Sequence, residues 1–151
     1  MRNKNKSVVV LANGTFDLVH YAHIRYLEEA KKTGGEDAYL IVVVARDKTV
    51  EQSKGKRPVI PEEQRRAVVE ALKPVDEAIL GYENVSFEDT IDILKPDIIA
   101  LGYDQDVLEN TLGETIKEKG LKIKIVKIRR FGLTDLNSSS KIKIKILSGL
   151  K

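Results

Sequence analysis

Runs of branched apolar residues alternate along this chain with stretches whose apolar positions recur every three or four residues. Residues 7–12 (Ser-Val-Val-Val-Leu-Ala) form a continuous run stopped by Asn13-Gly14, the signature of a strand covered on both faces. Residues 20–32 place Ile24, Leu27 and Ala30 at helical spacing and end at Gly34-Gly35. Residues 39–45 predict a second buried strand. Residues 46–60, polar, basic and without periodicity, predict a long loop. Pro61-Glu62-Glu63 opens a helix, because proline fits a first turn and acids suit its positive end. That helix turns Ala67, Val68, Ala71 and Leu72 inward and stops before Pro74. Further strands are predicted at 75–81, 97–102 and 121–128, with helices at 87–94 and 106–119. Strand–helix alternation of this kind predicts an α/β domain: a five-stranded, mostly parallel sheet with helices on both faces.

The last segment reads two ways. Residues 141–146 alternate Lys and Ile with period two, which suits a strand. Ile142, Ile146 and Leu150 also share one helical face, preceded by Ser138-Ser139-Ser140, and serines cap helices well. The helix is the preferred reading.

Composition narrows the class. The 151 residues include no Cys, which removes disulfides, zinc thiolates and Cys nucleophiles. No apolar run reaches the ~18 residues a membrane span needs, and the basic start leads into too short an apolar run for a signal peptide. A cytoplasmic protein without a membrane partner is therefore expected. The net charge of +3 conceals an asymmetry: residues 117–151 carry eleven Lys/Arg against two acids, so the remainder is acidic. A basic quarter calls for an anionic partner. Its lysines alternate with isoleucines and aromatics are few, so a nucleic acid is not the expected one.

The sharpest chemical feature is Asn13-Gly14-Thr15-Phe16-Asp17-Leu18-Val19-His20-Tyr21-Ala22-His23. It joins the carboxyl end of the first strand to the first helix, where open α/β sheets bind ligands and helix N–H groups attract anions. Both histidines of the chain fall here, three apart on one helical face. Two imidazoles beside such a turn suit a phosphate whose charge grows during reaction. The plainer alternative is that one ring caps or packs while the other is solvated. A metal-binding pair is a third, but no other His or Cys completes a nitrogen/sulfur site.

Gly14-Thr15-Phe16-Asp17 followed by His20-x-x-His23 resembles the signature of the cytidylyltransferase-like nucleotidyltransferases. Further matching segments follow in the family's order: residues 44–50, 54–58, 60–66, 73–76, 95–99 and 102–105. Together they look most like the archaeal FMN adenylyltransferase branch, and Ser138-Ser139-Ser140-Lys141-Ile142 resembles the element that starts the family's last helix. The match covers about residues 8–147. Ala22 stands where the family usually has glycine, and residues 130–137 follow no family pattern.

The resemblance implies a single Rossmann-like nucleotidyltransferase domain over residues 1–151, with a core of about 8–147. It places Gly14, Thr15 and Phe16 against a nucleotide and gives His20 and His23 the α-phosphate and the leaving pyrophosphate. Lys54 or Lys56 would close over the triphosphate, and Arg65 would be a phosphate ligand. Gly102 and Asp104 would meet the nucleoside, while Arg129, Ser138, Ser139 and Ser140 would contact phosphates. Asp17 would orient the loop or help hold Mg²⁺, the divalent cation such chemistry uses. The implied reaction is transfer of AMP from ATP to FMN, giving FAD and pyrophosphate, and a homodimer is implied by the resemblance alone. Two alternatives stay open. One is the same chemistry with CTP or ATP on glycerol 3-phosphate, phosphoethanolamine or a sugar phosphate. The other is a non-catalytic, nucleotide-binding regulatory module.

Overall fold

The computed structural model describes residues 7–131 and 136–150. Strand β1 (Val9–Gly14) leads into helix α1 (Tyr21–Lys32), followed by β2 (Tyr39–Val44), α2 (Asp47–Lys54) and α3 (Glu62–Glu70). Then come β3 (Glu77–Leu80), α4 (Phe87–Leu94), β4 (Ile98–Leu101), α5 (Asp106–Lys119), β5 (Lys124–Lys127) and α6 (Ser139–Gly149). The five strands form one sheet in the order β3-β2-β1-β4-β5, and every pair is parallel. The sheet is thus wholly, not mostly, parallel. No described helix is long and apolar enough to cross a membrane.

Alternation along β1 decides what each face covers. Val10 and Ala12 pack with Leu27 and Ala30 of α1 and Val69 of α3. Val9 and Leu11 point the other way, against Ile91 of α4 and Leu112 of α5. All four β1 residues are fully buried, as a strand in the middle of a two-sided sheet must be. Because the chain reverses its sideways course between β1 and β4, the carboxyl ends of these strands part to leave a crevice. Open α/β sheets bind ligands there.

Two expectations change. Residues 47–54 of the expected loop form α2, and Gly55 ends it at φ 79, its N–H reaching Glu51 O at 2.8 Å. Only Val50 of that helix is buried, so no apolar periodicity marks it. The inward face of α3 is also different. Ala67 and Val68 are exposed, while Arg65 and Val69, one turn apart, point into the molecule. An arginine holds an inward position that pattern reading gives to an apolar residue. At the chain's end the helix stands: Ser138 caps α6 by accepting the Lys141 N–H at 3.2 Å. No residue of α6 is buried, and Ile146 and Leu150 of its expected apolar face are largely exposed.

Candidate active site

A cleft of about 710 Å³ opens at the carboxyl edge of the sheet, within the range of small-molecule sites. Its floor is the turn between β1 and α1. The turn holds two non-glycine residues in the left-handed region, Phe16 (φ 55) and Leu18 (φ 55). Such conformations persist where their surroundings enforce them. The Phe16 ring lies over Gly14 so closely that a Cβ there would come within 2.8 Å of it. Only glycine admits that packing, which in turn sets Phe16 against His23 at a ring separation of 5.2 Å.

The two histidines build the start of α1. His20 is its N-cap, and its Nδ1 accepts the Ala22 N–H at 3.2 Å. His23 reaches back, its Nδ1 accepting the His20 N–H at 3.3 Å. This is a capping box made of imidazoles in place of the usual hydroxyl and carboxylate. The rings stack with centroids 3.9 Å apart. Because each Nδ1 is an acceptor, each neutral ring carries its proton on Nε2. Both residues line the cleft, so the pair offers two N–H donors on a preformed base. Burial pushes the His23 pKa down to about 4, assisted by the adjacent His20 and opposed by Asp17. Burial also lowers that of His20. The rings are neutral donors at neutral pH.

That arrangement makes the fold acid-sensitive. The folded-state pKa of His23 is about 4, below its ordinary 6.5, so between those values the unfolded chain binds more protons. Stability is fully present above pH 6.5 and is lost as pH falls toward 4. Urea unfolding at pH 7.5 and pH 5 is expected to differ by at most about 2 kcal/mol from this group. The His23→Gln variant should show a flatter dependence. An unchanged slope would exclude His23 as its source.

Asp17 is 4% exposed and both oxygens of its carboxylate are engaged. It accepts the Val59 N–H and the Ile60 N–H, each at 2.9 Å, and the Lys143 ammonium at 2.8 Å. Burial alone would raise its pKa; Lys143 and the two N–H groups outweigh that and hold it below the usual carboxylate value. Of the two roles expected for Asp17, orienting the loop or helping to hold Mg²⁺, these three protein donors favour the first. Among the described residues no cluster of three His, Asp or Glu that could hold a metal ion exists.

Arg65 is likewise not placed as a phosphate ligand. It is 1% exposed, and it does not line the cleft. Its guanidinium donates to Ile60 O at 2.8 Å, Thr15 O at 2.6 Å and Asp47 Oδ1 at 2.7 Å. It braces the turn from behind.

The other expected residues do converge. Gly14, Thr15, Phe16, Lys54, Lys56, Gly102, Asp104, Arg129 and the three serines all line the cleft. Lys54 and Lys56 are exposed, at the end of α2 and just after it. The Gly102 N–H is taken by Gln105 Oε1 at 2.8 Å. Asp104 does not cap α5, whose N-cap is Gln105. Arg129 stacks 4.9 Å over Phe131, whose ring also carries Arg25 at 5.0 Å. Sequence reasoning missed Lys143, hidden in the Lys/Ile alternation. It also missed the wall made by Val43, Val50, Tyr82, Val85 and Phe87 on the β2–β3 side. Aromatics just past the end of β3 were the available signal for that wall.

With this geometry in place, comparison with known proteins is specific. The cytidylyltransferase-like family model matches residues 11–145. The FAD synthase of Ferroglobus placidus is 52% identical over 92% of this chain and 88% of its own length. The FAD synthase of Archaeoglobus profundus is 51% identical over 95% of this chain and 89% of its own. Among solved structures, the lipopolysaccharide core biosynthesis protein of Thermoplasma volcanium superposes with a TM-score of 0.74 at 45% identity. It covers 83% of this chain and 98% of its own. Pantothenate synthetase from Thermus thermophilus, at 12% identity and a TM-score of 0.55, shares the fold over 82% of this chain and 56% of its own.

Proposed function

The chain belongs to the cytidylyltransferase-like family, and from that premise we infer that its cleft joins AMP from ATP to FMN. The enzyme is an FMN adenylyltransferase that forms FAD and pyrophosphate, as the identity to archaeal FAD synthases over nearly the whole chain supports. The observation that carries the chemistry is the imidazole capping box, which presents two Nε2–H donors at the switch point of the sheet.

A terminal phosphate oxygen of FMN attacks the α-phosphorus of ATP. The new P–O bond forms as the bond to pyrophosphate breaks. No protein nucleophile is needed, and catalysis is positioning plus charge stabilisation. His20 and His23 donate to oxygens of the α-phosphate and the departing pyrophosphate as charge accumulates there. Arg129, the Ser138 and Ser140 hydroxyls and the N–H groups at the start of α6, that of Ser139 included, hold the phosphate chain, with Lys54 or Lys56 closing from the α2 side. Thr15 and Phe16 bring their backbone against the nucleotide, and Gly102 and Asp104 meet its nucleoside. Reactions of this family use a divalent cation. Among the described residues Asp17 and Asp104 are the lining carboxylates, and Asp17 is engaged by protein donors; a divalent cation would therefore be held chiefly by the nucleotide's own phosphate oxygens, with its role the neutralisation of triphosphate charge.

The β2–β3 side of the cleft supports a large planar acceptor. Val43, Val50, Tyr82, Val85 and Phe87 line it, a wall that a small polar phosphate such as glycerol 3-phosphate would leave unused. The homodimer implied by the resemblance and the cytoplasmic location expected from composition stay part of this proposal, with light scattering as the check on the first.

Incubation with FMN, ATP and Mg²⁺ is expected to yield FAD and pyrophosphate in equal amounts, resolved by chromatography. Parallel reactions carry CTP, and glycerol 3-phosphate, phosphoethanolamine or a sugar phosphate. Absence of FAD with brisk turnover of another acceptor would overturn the flavin assignment. Nucleotide binding without pyrophosphate under any pairing would instead establish a regulatory module.

A further inference from the structure

Helix α6 supplies the serine-rich edge of the cleft, yet its hold on the rest of the molecule is slight. None of its residues is buried, and Ile144, Leu147 and the capping Leu150 are each more than 60% exposed. Among the described residues, two hydrogen bonds join it to the body, and both end on Asp17. The Ser139 hydroxyl donates to the Asp17 carbonyl. The Lys143 ammonium, one turn further along, donates to Asp17 Oδ2 at 2.8 Å.

Asp17 is itself an anchor for two other walls. It sits three residues before His20, in the turn that starts the imidazole box. Its oxygens also fix the N–H groups of Val59 and Ile60, in the segment that follows Lys54 and Lys56. Asp17 thus links three of the chain segments assigned to the phosphates: its own turn, the segment after Lys56, and α6. Two of its contacts are to backbone N–H groups of a continuous chain and would survive small movements. The third, to Lys143, is the carboxylate's own tie to α6, one turn beyond the Ser139 bond to the Asp17 carbonyl.

We propose that Lys143 is a positioning residue: through Asp17 it clasps α6 to the floor of the cleft and so holds Ser138, Ser139 and Ser140 in register with His20 and His23. The proposal rests on the triphosphate reading of this cleft and goes beyond it, because Lys143 acts here through Asp17 and not by touching a phosphate. The ion pair is desolvated on the Asp17 side, where the side chain is 5% exposed, and half-screened on the Lys143 side at 28%. A pair of that kind depends on its geometry and loses its value when the cation is removed.

The test uses the 151-residue chain as wild type, Lys143→Met, which keeps most of the length of the side chain without its charge, and Lys143→Arg. The first measurement is amide hydrogen exchange without nucleotide. In Lys143→Met, protection in α6 is expected to fall about ten-fold while the sheet is unchanged. The second is ATP affinity by calorimetry in the presence of Mg²⁺. Lys143→Met is expected to bind about ten-fold more weakly, with Lys143→Arg recovering most of both effects. Unchanged α6 exchange in Lys143→Met overturns the clasp. So does weakened ATP binding without faster α6 exchange, since that is the behaviour of a direct phosphate ligand. Faster exchange with unchanged ATP affinity overturns the positioning role. Neither measurement needs FMN, so a failed flavin assignment leaves this test standing.

Discussion

Replacing His20 by asparagine is expected to separate its two duties: the protein keeps its thermal stability while kcat for FAD formation falls about 10²–10³-fold. His20 is the N-cap of α1, and its Nδ1 satisfies the Ala22 N–H. Asparagine is among the best N-caps and can take over that bond. It cannot offer the Nε2–H donor at the same place. His20→Ala loses both, and its missing cap should cost about 1 kcal/mol, or roughly 3 °C in Tm for a domain of this size. His23→Ala should reduce kcat by a similar factor. The His20→Ala/His23→Ala double variant should be less impaired than the product of the single losses, because the stacked rings act on one developing charge. KM for ATP should stay within about three-fold if the donors act chiefly in the transition state. Steady-state kinetics with thermal melts on the four variants checks this. A His20→Asn variant with near-normal kcat would remove the imidazole pair from the mechanism.

The same pair shows how far residue type alone could lead. Their spacing of three put both rings on one face at the start of a helix, and the turn motif told which end of the sheet they occupy. What spacing could not tell was which nitrogen of each ring was free, since that depends on two backbone N–H groups finding Nδ1. The central strands were legible because a strand covered on both faces must be continuously apolar, and residues 9–12 and 40–44 are. Helix α2 was illegible for the converse reason: Val50 is its one buried position, so no apolar face repeats along it. Asp17 and Arg65 mark a different limit. An acid and a base in matched motifs look like ligands for a metal and a phosphate until their partners are known. The partners lie 42 to 126 residues from Asp17 and up to 50 residues from Arg65 in the chain, beyond any local pattern. Lys143 was masked by the isoleucines around it, whose period-two pattern drew attention to strand or helix and away from individual lysines.

Arg65→Met is expected to be strongly destabilising, with a loss of about 3–5 kcal/mol. The guanidinium is 1% exposed and makes hydrogen bonds to three separate segments. They reach Thr15 O in the nucleotide turn, Ile60 O before α3, and Asp47 at the start of α2. Methionine fills much of the volume but leaves two carbonyls and one carboxylate without their donor. Asp47 is only partly relieved, because its other oxygen takes the Glu62 N–H at a long 3.4 Å. The expected fall in Tm is about 10 °C. Lysine at this position keeps the charge and cannot reproduce a planar fork, so Arg65→Lys should recover less than half of the loss. ATP affinity of the folded fraction, measured well below the melting range, should weaken only a few-fold, through the loosened Thr15 backbone. A phosphate-ligand role makes the opposite forecast: an unchanged Tm and binding weakened by two orders of magnitude or more. Calorimetric melts paired with ATP titrations on Arg65→Met and Arg65→Lys decide between them. The geometry favours the brace, because an arginine whose donors are turned inward to protein oxygens would have to unmake the floor of the cleft to reach a phosphate.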